Sequence, residues 1–188
     1  MEMLAVAETK LKGLLELSCR VFGDDRGFFM ETWQADRFRK ATGCQDDIVQ
    51  TNLSTSARGV IRGLHFQAPP HAQGKLVRVV RGSIWDVAVD IRKDSPTFGE
   101  HHAVMLDLRS GKQLWVPPGF AHGFLALEDD TVIEYACSAL YAPSAEGSLR
   151  WDDSDLDIDW GAHLDGHPPV LSDKDAVAPC LRDFKSPF

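Results

Sequence analysis

From residue 47 onward, apolar and polar residues alternate in short runs rich in valine, isoleucine, phenylalanine and tryptophan, with glycine or proline in the gaps. Alternation with period two is the signature of a strand that buries one face. The runs predict strands over residues 48–53, 59–67, 75–81, 84–91, 101–108, 112–116, 123–127 and 131–140. No helical spacing intervenes among them, so the pattern points to an antiparallel sandwich or jelly roll. Upstream, Leu11, Leu14, Leu15 and Leu17 alternate weakly and predict an extended strand within 1–21, entering a turn-rich segment over 21–27 that holds Gly23 and Gly27. A further strand is expected over 28–33. Ala35, Phe38 and Ala41 then fall at helical spacing, so residues 34–42 predict a short helix ended by Gly43. After Tyr141 the chain becomes an acidic, turn-rich tail, expected to wrap the barrel instead of forming a second domain. Its acidic run 152–159 reads as a solvated face.

A chain of 188 residues with 44% hydrophobic and 26% charged residues fits one globular domain, 1–188. The net charge of -8 argues against non-specific binding to nucleic acid or to membrane surfaces, both polyanionic. Any anionic ligand must then be held by a local basic cluster. Glu2, Glu8 and Lys10 leave no room for the apolar stretch of a secretory signal, and no run approaches the roughly 18 apolar residues of a membrane span. Cys19, Cys44, Cys137 and Cys180 are scattered, with no Cys-x-x-Cys pair. A reduced, cytoplasmic protein is the simplest expectation.

Candidate chemistry concentrates in Arg62-Gly63-Leu64-His65-Phe66-Gln67 and in Gln73-Gly74-Lys75-Leu76-Val77-Arg78. An isolated strand histidine is more often a satisfied core residue than a catalyst. The nearby lysine strand raises the functional reading, since alternation puts Lys75, Val77, Val79 and Arg81 on one face. The same rule creates a conflict, because Arg62 and His65 should face oppositely on a regular strand; a bulge at Gly63, or action of Arg62 beyond a strand end, would remove it. A metal site is the rival. His65 is followed by Gln67 where a second histidine would stand, the adjacent His101 and His102 point to opposite faces, and His122 is a single extra candidate. The ligand count that zinc or iron needs is not met, so no metal is expected. Tyr135 and Tyr141, the two tyrosines of the chain, lie six apart and would share one face of an extended strand.

Taken in order, Asp24-x-Arg26-Gly27, Gln50-x-Asn52, Arg62 to Gln67, Gln73 to Val77, Asp86 to Arg92, Ser95-Pro96-Thr97-Phe98-Gly99, Gly119 to Phe124 and Leu171-Ser172-x-Lys174-Asp175 resemble the dTDP-4-dehydrorhamnose 3,5-epimerase family over about residues 20–180. The resemblance implies an all-β, cupin-type jelly roll with a few short helices, a homodimer working without metal or organic cofactor. Its substrate would be dTDP-4-dehydro-6-deoxy-D-glucose, epimerised at carbons 3 and 5 on the way to dTDP-L-rhamnose. By the same resemblance His65 is the general base, Asp175 its orienting carboxylate, Lys75 the enolate stabiliser and Tyr135 the acid. Tyr141 would stack on thymine. Arg26, Glu31, Gln50, Asn52, Arg62, His122, Glu146 and Lys174 fall on substrate-binding positions, with Phe22 supporting the substrate and Asp86 supporting the site. In that family the Arg26 segment comes from the other subunit, which implies N-terminal strands that cross the dimer interface. Asp159-Trp160-Gly161 and Glu100-His101-His102 depart from the family's usual pattern away from these positions.

The chemistry has its own logic. A ketone at carbon 4 acidifies the hydrogens on both neighbouring carbons, because the carbanion delocalises onto oxygen as an enolate. A histidine with an ordinary pKa of about 6.5 suits that proton transfer. Three other classes stay open on sequence grounds: an epimerase acting on one carbon, a metal-dependent cupin and a non-catalytic sugar-nucleotide binding module.

Overall fold

The computed structural model describes residues 2–188. Its N-terminal part corrects the single strand expected within 1–21. Strands β1 (Leu4–Glu8) and β2 (Leu15–Cys19) form a hairpin instead. Gly13 reverses the chain at φ +94°, and the Thr9 hydroxyl donates to the Leu14 carbonyl at 3.0 Å. Leu11, Leu14 and Leu17 drop into the core as a result. The segment 21–27 is likewise more than a turn. It pairs β3 (Val21–Asp24) with β4 (Gly27–Met30) around Asp25 and Arg26, and β4 ends three residues before the expected limit at 33.

The predicted helix is present as α1 (Ala35–Thr42), capped by the Gln34 side chain and closed by left-handed Gly43. It buries Phe38, whose ring meets Trp115 edge-on at 5.1 Å. The following strands are β5 (Gln50–Ser56), β6 (Ile61–Gln67), β7 (Lys75–Arg81), β8 (Ser83–Asp90), β9 (His101–Asp107), β10 (Lys112–Val116), β11 (Phe120–Ala126), β12 (Thr131–Cys137) and β13 (Glu146–Ser148), with a one-turn helix α2 (Asp173–Ala176) in the tail. β12 therefore stops short of the expected 140, and Tyr141 lies in a loop.

The strands form an antiparallel sandwich of the jelly-roll class. One sheet runs β1-β2-β10-β7-β12-β5 and the other β13-β6-β11-β8-β9. Val77, Val79, Leu114 and Ile133 from the first sheet meet Ile84, Ala88, Phe120 and Phe124 from the second to make the central core. The outer face of the second sheet is apolar as well. Ile61, Leu64, Val87, Val89 and Leu125 pack there against tail residues Leu156 and Trp160. β11 is consequently buried along its whole length. The acidic run corrects another expectation: Asp152, Asp155, Asp157 and Asp159 are exposed, but Asp153 is buried, where its carboxylate accepts from the backbone N–H groups of Asp155 and Leu181. Among the described residues no helix is long and apolar enough to cross a membrane.

Candidate active site

A cavity of about 520 Å³ lies between the sheets, lined by β5, β7 and β12 from one wall and by β6 and β11 from the other. The conflict over Arg62 and His65 is resolved inside β6. His122 of β11 stands opposite His65, and Phe124 opposite Arg62, so three steps along β6 span two along β11. That extra residue is a bulge, and it returns Arg62 to the face of His65. Gly63 makes it possible. Its φ is +137°, and a Cβ there would sit 2.5 Å from the Gly123 Cα. Arg62 is held by bonds from its guanidinium to the Ser56 hydroxyl at 3.1 Å and the Thr55 carbonyl at 3.0 Å.

His65 meets the buried carboxylate of Asp175 through Nε2, at 2.6 Å from Oδ1. Asp175 is presented by α2, where the Ser172 hydroxyl accepts from its backbone N–H. A carboxylate accepts only, so Nε2 carries the hydrogen and Nδ1 keeps the free lone pair. Burial pushes the His65 pKa below its ordinary value, with Asp175 pulling the other way. The imidazole is thus neutral and basic at neutral pH.

The facing wall carries the opposite chemistry. Tyr135 of β12 shares a hydrogen bond with the Ser54 hydroxyl at 3.1 Å, and burial pushes its pKa up to about 12. The phenol is a held proton. Lys75 opens β7 opposite Cys137, and its pKa is lowered by burial, which Cys137, Glu146 and Asp86 partly oppose. Burial disfavours the charge on Lys75, and negative charge placed beside it in the cavity would favour its ammonium form. A second dyad lies beside the first: His122 Nε2 to Asp86 Oδ1 at 2.7 Å, both buried, with the His122 ring edge-on to Tyr135 at 6.3 Å. Asp86 Oδ2 has no partner among the described residues.

At the cavity mouth, Lys174 pairs with Glu146 at 2.6 Å, and the Tyr141 hydroxyl donates to the same carboxylate at 3.2 Å. Burial would raise the Glu146 pKa, but these two partners hold it below the ordinary carboxylate value. Gln50 bridges the Tyr141 backbone N–H and the Asn52 side chain.

His65, Lys75, Tyr135, Asp175, Asn52, Arg62, His122, Tyr141, Glu146 and Lys174 all line the cavity, while Gln50 and Asp86 touch it through Tyr141 and His122. Phe22, Arg26 and Glu31 do not reach it within this chain. Arg26 sits at the exposed tip between β3 and β4 and pairs with Asp24, and Glu31 pairs with Arg37. Ser54, Gln67 and Gln73 also line the cavity; the two glutamines stand in the quoted motifs with no role assigned to them, and Ser54 carries no signal in the sequence. The available signal for Gln67 was its place at the end of the Arg62-to-Gln67 motif. Among the described residues, no group of three or more His, Cys, Asp or Glu is placed to hold a metal ion.

Facing walls that present an imidazole and a protonated phenol supply a general base and a general acid, the pair that an isomerase moving protons on carbon requires. The family model for dTDP-4-dehydrorhamnose 3,5-epimerase matches residues 8–183. A dTDP-4-dehydrorhamnose 3,5-epimerase of Salmonella typhimurium is 46% identical over 95% of this chain and 96% of its own. The crystal structure of the 3,5-epimerase of Legionella pneumophila, in complex with dTDP-4-keto-L-rhamnose, superposes with a TM-score of 0.91 at 42% identity, covering 97% of this chain and 95% of its own. A 3′-monoepimerase of Streptomyces bikiniensis, solved with dTDP-quinovose, is also similar, with a TM-score of 0.86 at 36% identity over 93% of this chain and 86% of its own. The chain belongs to the dTDP-4-dehydrorhamnose 3,5-epimerase family. It is an epimerase, of the isomerase class.

Proposed function

We propose that the protein converts dTDP-4-dehydro-6-deoxy-D-glucose into dTDP-4-dehydro-L-rhamnose by inverting carbons 3 and 5, without a cofactor, as a step toward dTDP-L-rhamnose. The observation that carries this is the placing of the His65–Asp175 pair and Tyr135 on opposite sheets around one cavity that also holds Lys75. Inversion needs a base on one face of the sugar and an acid on the other. His65 Nδ1 takes the proton from the carbon beside the ketone, and the C–H electron pair moves onto the carbonyl oxygen. The Lys75 ammonium favours the resulting enolate, a preorganised electrostatic contribution of roughly 3 to 4 kcal/mol in comparable sites. Tyr135 then returns a proton to the carbon from the other face. Exchange with solvent resets the imidazolium and the phenolate before the second carbon reacts.

The remaining groups grip the nucleotide. Arg62 and Lys174 supply charge for the diphosphate, with bidentate arginine suited to phosphate oxygens. Tyr141, half-exposed at the mouth, stacks on the base beside Gln50 and Asn52, while His122, with Asp86 behind it, and Glu146 contact the sugar nucleotide from the walls. Phe22, Arg26 and Glu31 act from a second copy of the chain. In this reading each subunit is one jelly-roll domain, and its β3–β4 hairpin enters its partner's cavity in a homodimer. The exposure of Phe28 at 46% and Phe29 at 68% on that hairpin supports such burial. All four cysteines are free, which fits a cytoplasmic place of action.

The test is to incubate the chelator-treated protein with dTDP-4-dehydro-6-deoxy-D-glucose and to read the product by NMR. The L-rhamno product is expected. A product inverted at one carbon would assign the chain to the monoepimerase activity of the Streptomyces relative, and a loss of turnover on chelation would assign it to metal chemistry.

A further inference from the structure

The loop that carries Tyr141 has little ladder pairing of its own, because β12 ends at Cys137 and β13 begins only at Glu146. Its backbone is met by glutamine side chains instead. Gln67 is buried at the end of β6, two residues beyond the catalytic His65, with 4% of its surface exposed. Its amide nitrogen donates to the His71 carbonyl at 2.9 Å and the Leu140 carbonyl at 3.2 Å, and its amide oxygen accepts from the Ala142 N–H at 2.8 Å. The two loop contacts fall on the residues immediately before and after Tyr141. Gln73 adds a bond to the Ala139 carbonyl at 2.6 Å, and Gln50 takes the Tyr141 N–H itself.

We propose that Gln67 is a positioning residue for the nucleoside end of the substrate: its side chain clasps the loop on both sides of Tyr141 and fixes where that ring stands. The inference rests on the reading that Tyr141 stacks on the base. His65, by contrast, is placed by backbone pairing, with Ser148 opposite it on β13 and His122 on β11. Loss of the Gln67 side chain should therefore loosen the base site and leave the proton-transfer groups in place. A buried amide that makes three bonds to main chain has no tolerant replacement, since an apolar side chain leaves those groups unpaired.

The variant is Gln67→Met, which keeps length and volume. KM and the Kd for dTDP, measured by calorimetry, should rise about tenfold, equivalent to ~1.4 kcal/mol. kcat and the affinity for inorganic pyrophosphate should stay near wild type. In a Tyr141→Ala background the same change should add less than about twofold, because its effect runs through the ring. Gln67→Glu retains the acceptor for Ala142 and serves the same measurements where Gln67→Met does not fold. An unchanged dTDP Kd, a fall in kcat at constant KM, or an undiminished effect in the Tyr141→Ala background would overturn the proposal. If Tyr141→Ala itself leaves dTDP binding unchanged, the base-stacking reading fails; if Tyr141→Ala weakens it and the Gln67 variants do not, the clasp alone fails.

Discussion

Replacing Asp175 by asparagine isolates what the carboxylate does for His65, since it removes charge at nearly constant shape. The bond is 2.6 Å long and Asp175 is 3% exposed, so little water can substitute for it. A hydrogen bond to a charged partner is worth about 1.5 to 3 kcal/mol, or about one to two pK units on His65. The direction follows from the forces on the ring. Burial lowers the His65 pKa and Asp175 opposes that lowering, so removing the charge lowers it further. The acid limb of kcat/KM, which reports the free base, should move to lower pH. The rate itself should fall much further, because an asparagine amide can donate to Nε2 and leave the hydrogen on Nδ1, the wrong tautomer for the base. The comparable change in a serine protease triad costs on the order of 10⁴ in kcat. Initial rates across a pH series, with circular dichroism to confirm folding, make the measurement. Activity within about threefold of wild type, or an acid limb displaced to higher pH, would refute the reasoning.

Other expectations follow from the same structure. Gly63→Ala should destabilise the fold by more than about 3 kcal/mol in urea unfolding, given its φ of +137° and the 2.5 Å approach of its Cβ to Gly123; a near-neutral change would mean that the bulge is not as described. Asp90 is buried, and although burial opposes it, bonds from Arg92, Ser95 and Thr97 hold its pKa at about 2, below the ordinary 3.8. A depressed carboxylate stabilises above its unfolded pKa and loses that contribution as pH falls toward the folded one. Asp90→Asn should accordingly cost about 2 kcal/mol at neutral pH, with the gap to wild type closing below about pH 4; a pH-independent gap would contradict the linkage. Arg26→Ala and His65→Asn should each be inactive alone and recover about a quarter of wild-type activity when their subunits are exchanged by refolding an equal mixture, whereas no recovery would place Arg26 outside its partner's site.

The ends of β7 and β10 were legible in the sequence because Gly74, Gly82, Gly111 and Pro117 punctuate them. β11 starts three residues before the expected 123 and ends one before the expected 127. A strand buried on both faces gives no alternation to mark where it starts. The N-terminal hairpin was hidden for a related reason, since Leu11 and Leu14 belong to its turn region and not to either strand. α2 and β13 are too short to have a period, although they deliver Asp175 and Glu146. In the site, the motifs hold His65, Lys75 and Asp175, and Tyr135 comes only with the family resemblance, yet only the register of β6 against β11 tells how Arg62 joins them. The Gln67 clasp could not be read from spacing, because its partners are main-chain groups of a loop more than 70 residues away.

One cavity is proposed to abstract and return protons at two carbons. Turnover of dTDP-4-dehydro-6-deoxy-D-glucose in deuterated water, with the product resolved by NMR, tests it most directly. Deuterium is expected at both carbon 3 and carbon 5 of the L-rhamno product, through the solvent-exchangeable protons of His65 and Tyr135. Inversion with label at one carbon alone, or with none, would contradict it.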